Sequence, residues 1–138
     1  MLVLMIESNS LHTHKSTPPL ALLPVLQKIK TVYILWYSYY QTLPKTHRYS
    51  LGVRIDNLFV EIIEAVALAG FLGKTEKQPY VRIAIRKLDT LKILLMVVWE
   101  TKAIDDKKYI ALSLPIDEIG KMLGGWNGQL AKQNSLST

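Results

Sequence analysis

Arginine and lysine side chains on one stretch of the chain offer chemistry for binding anions. Arg82 and Arg86 are spaced one helical turn apart, and Lys87 follows directly. Since a guanidinium presents a planar fork of N–H donors, such a row can span adjacent phosphates or grip an acidic partner. The alternative is an ordinary solvated helix face. A second, weaker basic patch is predicted at Lys45, His47, Arg48 and Arg54.

Catalytic and metal-binding constellations are missing from the sequence. The i, i+3 pair Glu61 and Glu64 matches part of a di-iron carboxylate site, but no histidine follows His47 to complete one. His12 and His14 lack a third ligand, so they are interpreted as polar residues of a tail. No nucleophile elbow, phosphate-binding loop or dinucleotide fingerprint occurs. The sequence therefore predicts a binding or assembly protein rather than an enzyme, with no metal and no cofactor.

Composition narrows the class of protein. The 138 residues carry a net charge of +6, and 49% of them are apolar, which suits one domain with a core. The absence of cysteine fits the reducing cytoplasm, where we expect the protein to be. The longest apolar run, Ile93–Trp99, is shorter than the roughly 18 residues of a membrane span. The apolar start, Met1–Ile6, lacks the pattern of a signal peptide. We therefore expect a soluble protein.

Four segments share a helical spacing of apolar residues. Alternating steps of three and four place these residues on one face of each segment, which predicts four amphipathic helices. The stripes are Leu22, Val25, Ile29, Val32, Trp36, Tyr39 and Leu43; Leu51, Ile55, Leu58, Ile62, Ala65, Ala69 and Leu72; Val81, Ala84, Leu88, Leu91, Leu95 and Val98; and Tyr109, Leu112, Ile116, Ile119, Leu123 and Trp126. Matched lengths and short connections favour an all-α, up-down-up-down four-helix bundle over residues 19–130, with flexible tails at 1–18 and 131–138.

Capping and turn residues predict where these helices begin and end. The predicted starts are an N-cap at Ser50, a first-turn proline at Pro79 and a cap at Asp105 or Asp106. The predicted ends are Gly73 and the pair Gly124–Gly125. Pro115 should kink or split the fourth helix, because proline lacks the N–H group that the helix interior needs.

The third helix has a divided outer face. Its first half is basic, whereas the segment Ile93–Trp99 is apolar on every side. A helix that is apolar all round must be covered all round, so we expect a neighbouring subunit to cover it at Ile93, Val97 and Trp99. Scattered surface apolar residues are the alternative. The segment 76–103 has six basic and three acidic residues, and in a symmetric oligomer these would form a basic belt that attracts nucleic acid.

Three stretches of the chain form a recognisable set: Pro44–Ile55, Arg82–Lys92 and, above all, Asp117–Trp126. The most specific element is the ending Glu-Ile-Gly-Lys-Met-Leu-Gly-Gly-Trp. Together they resemble the accessory variability determinant proteins of diversity-generating retroelements. The resemblance covers about residues 20–130. The wider relatives are the four-helix-bundle proteins encoded in intervening sequences of bacterial 23S rRNA genes.

The resemblance implies a cyclic homopentamer, a basic barrel that binds the retroelement's reverse transcriptase and its template RNA or cDNA. Such a protein is needed for mutagenic retrohoming, and catalysis belongs to the polymerase. The basic partner-binding surface of the family corresponds to Arg82, Arg86 and Lys87, with Arg48 and Arg54 in second rank. Two alternatives stay open: an intervening-sequence type of bundle whose partner is ribosomal RNA or unknown, and an oligomeric scaffold without a nucleic acid.

Overall fold

The structure, a computed structural model, describes residues 22–136, and this part of the chain is helical without a strand. The helices are α1 (Leu22–Tyr40), α2 (Val53–Gly70), α3 (Lys74–Glu100) and α4 (Asp106–Leu136). A helical turn at Lys45–His47 and a π-helical turn at Arg48–Gly52 lead into α2. The predicted N-terminal tail, with His12 and His14, lies outside the described residues.

Consecutive helices run antiparallel and pack side by side. Near the connection between α3 and α4, the rings of Trp99 and Tyr109 stack with centroids 4.6 Å apart. At the far end of the same two helices, Gln78 Nε2 donates to Asn127 Oδ1 at 3.3 Å. Helix α1 packs against both α2 and α4, which closes the ring of four helices. The predicted up-down-up-down four-helix bundle is therefore confirmed.

The core consists mainly of the predicted stripes. Every stripe residue of α3 is buried, and Trp36, at 0% exposure, is the largest fully buried side chain. Its Nε1 donates to Asp56 Oδ1 at 3.3 Å, so its polar atom keeps a partner. Burying one Leu or Ile side chain contributes about 1.5–3 kcal/mol, which is why the stripe spacing decides the fold. The half-buried exceptions are Tyr39, Leu51, Leu72, Tyr109 and Trp126.

The approach to α2 differs from the prediction at Ser50. The chain is already helical before this residue, because the Pro44 carbonyl accepts the N–H groups of His47 and Arg48 at 2.9 and 2.8 Å. Ser50 Oγ donates back to the Thr46 carbonyl at 2.8 Å. Ser50 therefore lies within a helical turn, and its prediction as an N-cap is wrong.

Gly73 starts α3 rather than ending α2. Helix α2 ends at Gly70, and Gly73 has an extended backbone with φ −71° and ψ 165°. Its carbonyl accepts the N–H groups of Glu76 and Lys77 at 2.9 and 3.0 Å, as the carbonyl of an N-cap residue does. Helix α3 thus begins directly after Gly73. Pro79 lies inside it and beyond its first turn, contrary to the prediction.

The connection between α3 and α4 has the predicted cap. Asp105 Oδ1 accepts the N–H group of Lys108 at 2.8 Å, which makes Asp105 the N-cap of α4. At the end of α3, the Ala103 N–H donates to the Val98 carbonyl at 3.0 Å, and Lys102 has a φ of 65°. This is a Schellman closure in which a lysine occupies the left-handed position that favours glycine.

Helix α4 is longer than predicted. It continues through Pro115 and Gly124–Gly125 to Leu136, so the predictions that these residues split or end it are wrong. Neither glycine of the pair has the positive φ of a helix-ending residue. Beyond them, Leu130 is 3% exposed in a small cluster with residues of α2 and α3. Because this packing holds the last turns, residues 131–136 are helical rather than an irregular tail.

Candidate nucleic-acid interface

Four basic side chains of α2 and α3 lie on one side of the bundle. Arg54 on α2 and Arg86 and Lys87 on α3 line a cavity of about 440 Å³ between the two helices. Arg82 is exposed on α3, one turn before Arg86. We call Arg54, Arg82, Arg86 and Lys87 the basic face. The structure thus brings three of the five predicted nucleic-acid-binding residues to one cavity, with Arg82 one helical turn away on α3.

The stripe of α3 orients this face. Val81 and Leu88 are buried in the bundle. With 3.6 residues per turn, packing these positions inward turns Arg82 and Arg86 towards solvent. Both arginines are exposed, and neither side chain has an ion pair or hydrogen bond to another residue within 22–136. Both guanidinium groups therefore keep their donors available for a partner.

Glu61 partly neutralises the basic face. Its Oε1 lies 3.1 Å from Lys87 Nζ and 3.7 Å from Arg54 Nη1, and its side chain is 39% exposed. Surface ion pairs of this kind contribute about 0–1 kcal/mol each. Glu64 is exposed, whereas Glu61 is half-buried and directed at α3. The basic face with Glu61 included keeps a net positive charge.

Arg48 lies outside the basic face and forms its hydrogen bond within the connection between α1 and α2. Its Nη2 donates to the Leu43 carbonyl at 2.9 Å, and its guanidinium carbon lies 6.0 Å from the centroid of the Tyr49 ring. The side chain is half-buried and ties the connection between α1 and α2. Because α2 and α3 are antiparallel, Arg48 lies beyond Arg54, on the side away from Arg82.

The predicted subunit interface on α3 is apolar and partly uncovered. Ile93 is 57% exposed, and Val97 is half-buried. Trp99 is different, because its ring stacks on Tyr109 and its Nε1 donates to Asp106 Oδ1 at 2.7 Å. The first turns of α4 therefore cover one side of Trp99 within the same chain.

Helix α4 adds apolar surface that the sequence reasoning missed. Ile110 and Leu114 are 51% and 61% exposed, and the stacking of Trp99 on Tyr109 places them at the level of the apolar end of α3. Their i, i+4 spacing outside the core stripe is the signal in the sequence. We call Ile93, Met96, Ile110 and Leu114 the apolar surface.

The described part of the chain has two candidate binding surfaces, the basic face and the apolar surface. Within residues 22–136, no group of three or more His, Cys, Asp or Glu side chains is placed to hold a metal ion. No helix among these residues is long and apolar enough to cross a membrane. The exposed guanidinium groups of α3 can bind anions, and the apolar surface can contact another protein.

Comparison with known proteins identifies a family. A family model described as bAvd-like matches residues 23–130, which include all of α2 and α3 and the basic face. No curated protein and no solved structure matches the chain.

Proposed function

The chain belongs to the bAvd-like family, the accessory variability determinant proteins, and we propose that it is an accessory subunit of a diversity-generating retroelement. Proteins of this family are accessory and non-catalytic. In our proposal the chain binds the element's reverse transcriptase and template RNA, and it supports mutagenic cDNA synthesis and retrohoming. The observation that carries the proposal is the basic face, in which Arg82 and Arg86 are exposed and form no ion pair with any other residue of the range 22–136.

The chemistry of the basic face suits phosphate groups. A guanidinium donates two parallel N–H bonds to phosphate oxygens, and it stays charged at any physiological pH. One turn between Arg82 and Arg86 separates their backbones by about 6 Å at 1.5 Å rise per residue, close to the spacing of successive phosphates along a strand. Lys87 and Arg54 add charge at the rim of the same cavity. The role of this face is to hold RNA and polymerase together so that cDNA synthesis begins at the right place.

The proposal includes a cyclic homo-oligomer, a pentamer by resemblance to the family. Its interface includes Ile93, Val97 and Trp99 on α3, and the apolar surface adds Ile110 and Leu114 of α4. Large exposed apolar side chains grouped at one end of two neighbouring helices are typical of protein contacts. Helix α3 thus divides its outer side into a basic half for RNA and an apolar half for assembly. Each added subunit multiplies the basic face and strengthens the attraction for RNA.

The test is a charge reversal on α3. The double variant Arg82→Glu with Arg86→Glu should abolish binding to template RNA and to the reverse transcriptase, while the mass in solution and the thermal unfolding stay as in the wild type. Neither side chain has a partner in the part of the chain that the structure describes, so the free energy of unfolding should change by about 0.5 kcal/mol or less. A matched control reverses Lys30 and Lys107, two exposed lysines on other parts of the bundle. Full RNA and polymerase binding by the α3 double variant would refute the proposal.

A further inference from the structure

A second basic site lies at the end of the bundle where α1 and α3 begin and α4 ends. It is a cavity of about 440 Å³ between these helices. Its polar lining includes Lys74 and Lys77 of α3 and Lys121 of α4, and its apolar lining includes Trp126. No acidic residue of the range 22–136 lines it. The cavity therefore combines three cations with an aromatic ring. The carboxylate of Glu118 lies outside this lining, one turn before Lys121, and pairs with Lys28.

Trp126 and Lys77 fix the geometry of this cavity. Trp126 is half-buried: part of its ring packs against the core, and the rest borders the cavity. Lys77 Nζ lies 5.9 Å from the ring centroid and donates to the Ala69 carbonyl at 3.0 Å. Burial lowers the pKa of Lys77 from its ordinary value of 10.5. A bound anion would offset that loss of solvation, because an opposite charge favours the ammonium form.

We propose that this cavity binds one nucleotide of a single-stranded RNA. The base stacks on Trp126, and the flanking phosphates lie against Lys74 and Lys121, whose side chains are exposed at the rim. An aromatic ring beside a positively charged groove is the usual platform for single-stranded nucleic acid, because every base has a π face. Gln129 and Gln133 at the wall supply amide groups for the edge of the base.

The cavity and the basic face lie on the same half of α3. Lys74 precedes Arg82 by about 12 Å along the helix axis at 1.5 Å rise per residue. The two sites border different helices, since the basic face adjoins α2 and the cavity adjoins α1 and α4. The inference rests on the proposed function in one respect, since both name RNA as the ligand.

Tryptophan fluorescence tests the stacking directly. The probe is an eight-nucleotide polyuridylate RNA added to the full chain at low salt. We expect saturable quenching of the tryptophan emission in the wild type. Trp36 is 0% exposed, and Trp99 stacks on Tyr109 at the other end of α3, so the quenching should come from Trp126. In Trp126→Phe the quenching should disappear while binding persists, because phenylalanine keeps an aromatic face. Quenching that survives in Trp126→Phe, or no binding of the RNA by the wild type, would overturn the inference.

A charge reversal at the rim supplies the second measurement. Lys74→Glu with Lys121→Glu should raise the Kd for the same RNA at least tenfold, since each reversal places a carboxylate beside a phosphate. The control, Lys30→Glu with Lys107→Glu, changes net charge equally and should raise the Kd less than threefold. Equal effects of the two double variants would overturn the inference.

The two proposals fail separately. If Arg82→Glu with Arg86→Glu abolishes polymerase and template RNA binding but the rim variant leaves polyuridylate binding unchanged, the cavity is not a nucleotide site and the proposed function stands. If the rim variant weakens polyuridylate binding but the α3 variant leaves polymerase and template RNA binding intact, the proposed function is wrong and the nucleotide site stands.

Discussion

Removal of the Glu61 charge should strengthen RNA binding by the basic face. In the wild type, Glu61 Oε1 lies 3.1 Å from Lys87 Nζ and 3.7 Å from Arg54 Nη1. Glu61→Gln keeps the size of the side chain and removes its charge. Both cations then become available for phosphates, next to Arg86 in the same cavity.

The expected gain in RNA affinity can be calculated from Coulomb's law. One added unit of positive charge about 7 Å from a phosphate contributes about 0.6 kcal/mol in water, or roughly threefold in affinity. If both freed cations contact phosphates, the plot of log K against log salt steepens by up to about 1.4 for single-stranded RNA. Because the two ion pairs are at the surface, the free energy of unfolding should fall by about 1 kcal/mol or less.

The assay is fluorescence anisotropy of labelled template RNA over a series of salt concentrations. Glu64→Gln is the matched control, since Glu64 is exposed on the same helix and its loss changes net charge equally. The gain in affinity and the steeper salt dependence should be clear for Glu61→Gln and much smaller for Glu64→Gln. Equal gains in the two variants, or an unchanged salt slope in Glu61→Gln, would refute the role assigned to Glu61.

Three further predictions concern the stability of the bundle. Lys102 has a left-handed φ of 65°, which glycine adopts without strain. Lys102→Gly should therefore raise the free energy of unfolding, measured in urea, by about 1 kcal/mol; an unchanged free energy would contradict strain at this position. A β-carbon on Gly52 would lie 2.8 Å from Tyr40 Cε1, so Gly52→Ala should cost about 1–3 kcal/mol. Gly124→Ala, in open space on α4, should instead gain about 1 kcal/mol, and effects of the same sign would refute this reasoning. Burial, and then a hydrogen bond to a carboxylate of α2, raise the pKa of Tyr33 from 10.0 to about 12. The folded state therefore favours the neutral phenol of Tyr33. The stability that this phenol contributes is fully present below pH 10 and is lost as the pH rises towards 12. Tyr33→Phe should lose less stability over that range in urea unfolding, and an equal loss would contradict the assignment.

The fold could be predicted because the apolar spacing is regular. The residues from Val81 to Val98 repeat in steps of three and four, and the structure buries every predicted member of that stripe. The same spacing placed Arg82 and Arg86 on the outer side of α3, and both are exposed. The spacing of apolar residues and the positions of charged residues are local to one helix, so both can be predicted from the sequence.

Helix ends were predicted less well, because a glycine can serve several purposes. Gly73 was interpreted as the end of α2 and is the N-cap of α3. The pair Gly124–Gly125 lies within α4, because burial of Leu130 against the neighbouring helices stabilises the turns beyond it. Such packing depends on residues distant in sequence, which a local pattern does not contain.

Contacts and cavities between helices could not be predicted from the sequence either. The ion pair of Glu61 with Lys87 and the cavity that joins Lys74 to Trp126 each combine residues far apart in the chain. Their pairing depends on the register of antiparallel helices. Arg48 illustrates a further case: its type and position predict a weaker role in binding, which stays a prediction, and its hydrogen bond to the Leu43 carbonyl became visible only in the structure.

The most direct test of the central claim is the mass of the protein in solution by light scattering, with and without template RNA, at low and high salt. We predict a ring-sized oligomer that binds the RNA at low salt and releases it as the salt concentration rises, because contacts with phosphates release counterions. A monomer that is indifferent to RNA at every salt concentration would contradict both the role of the apolar surface and that of the basic face.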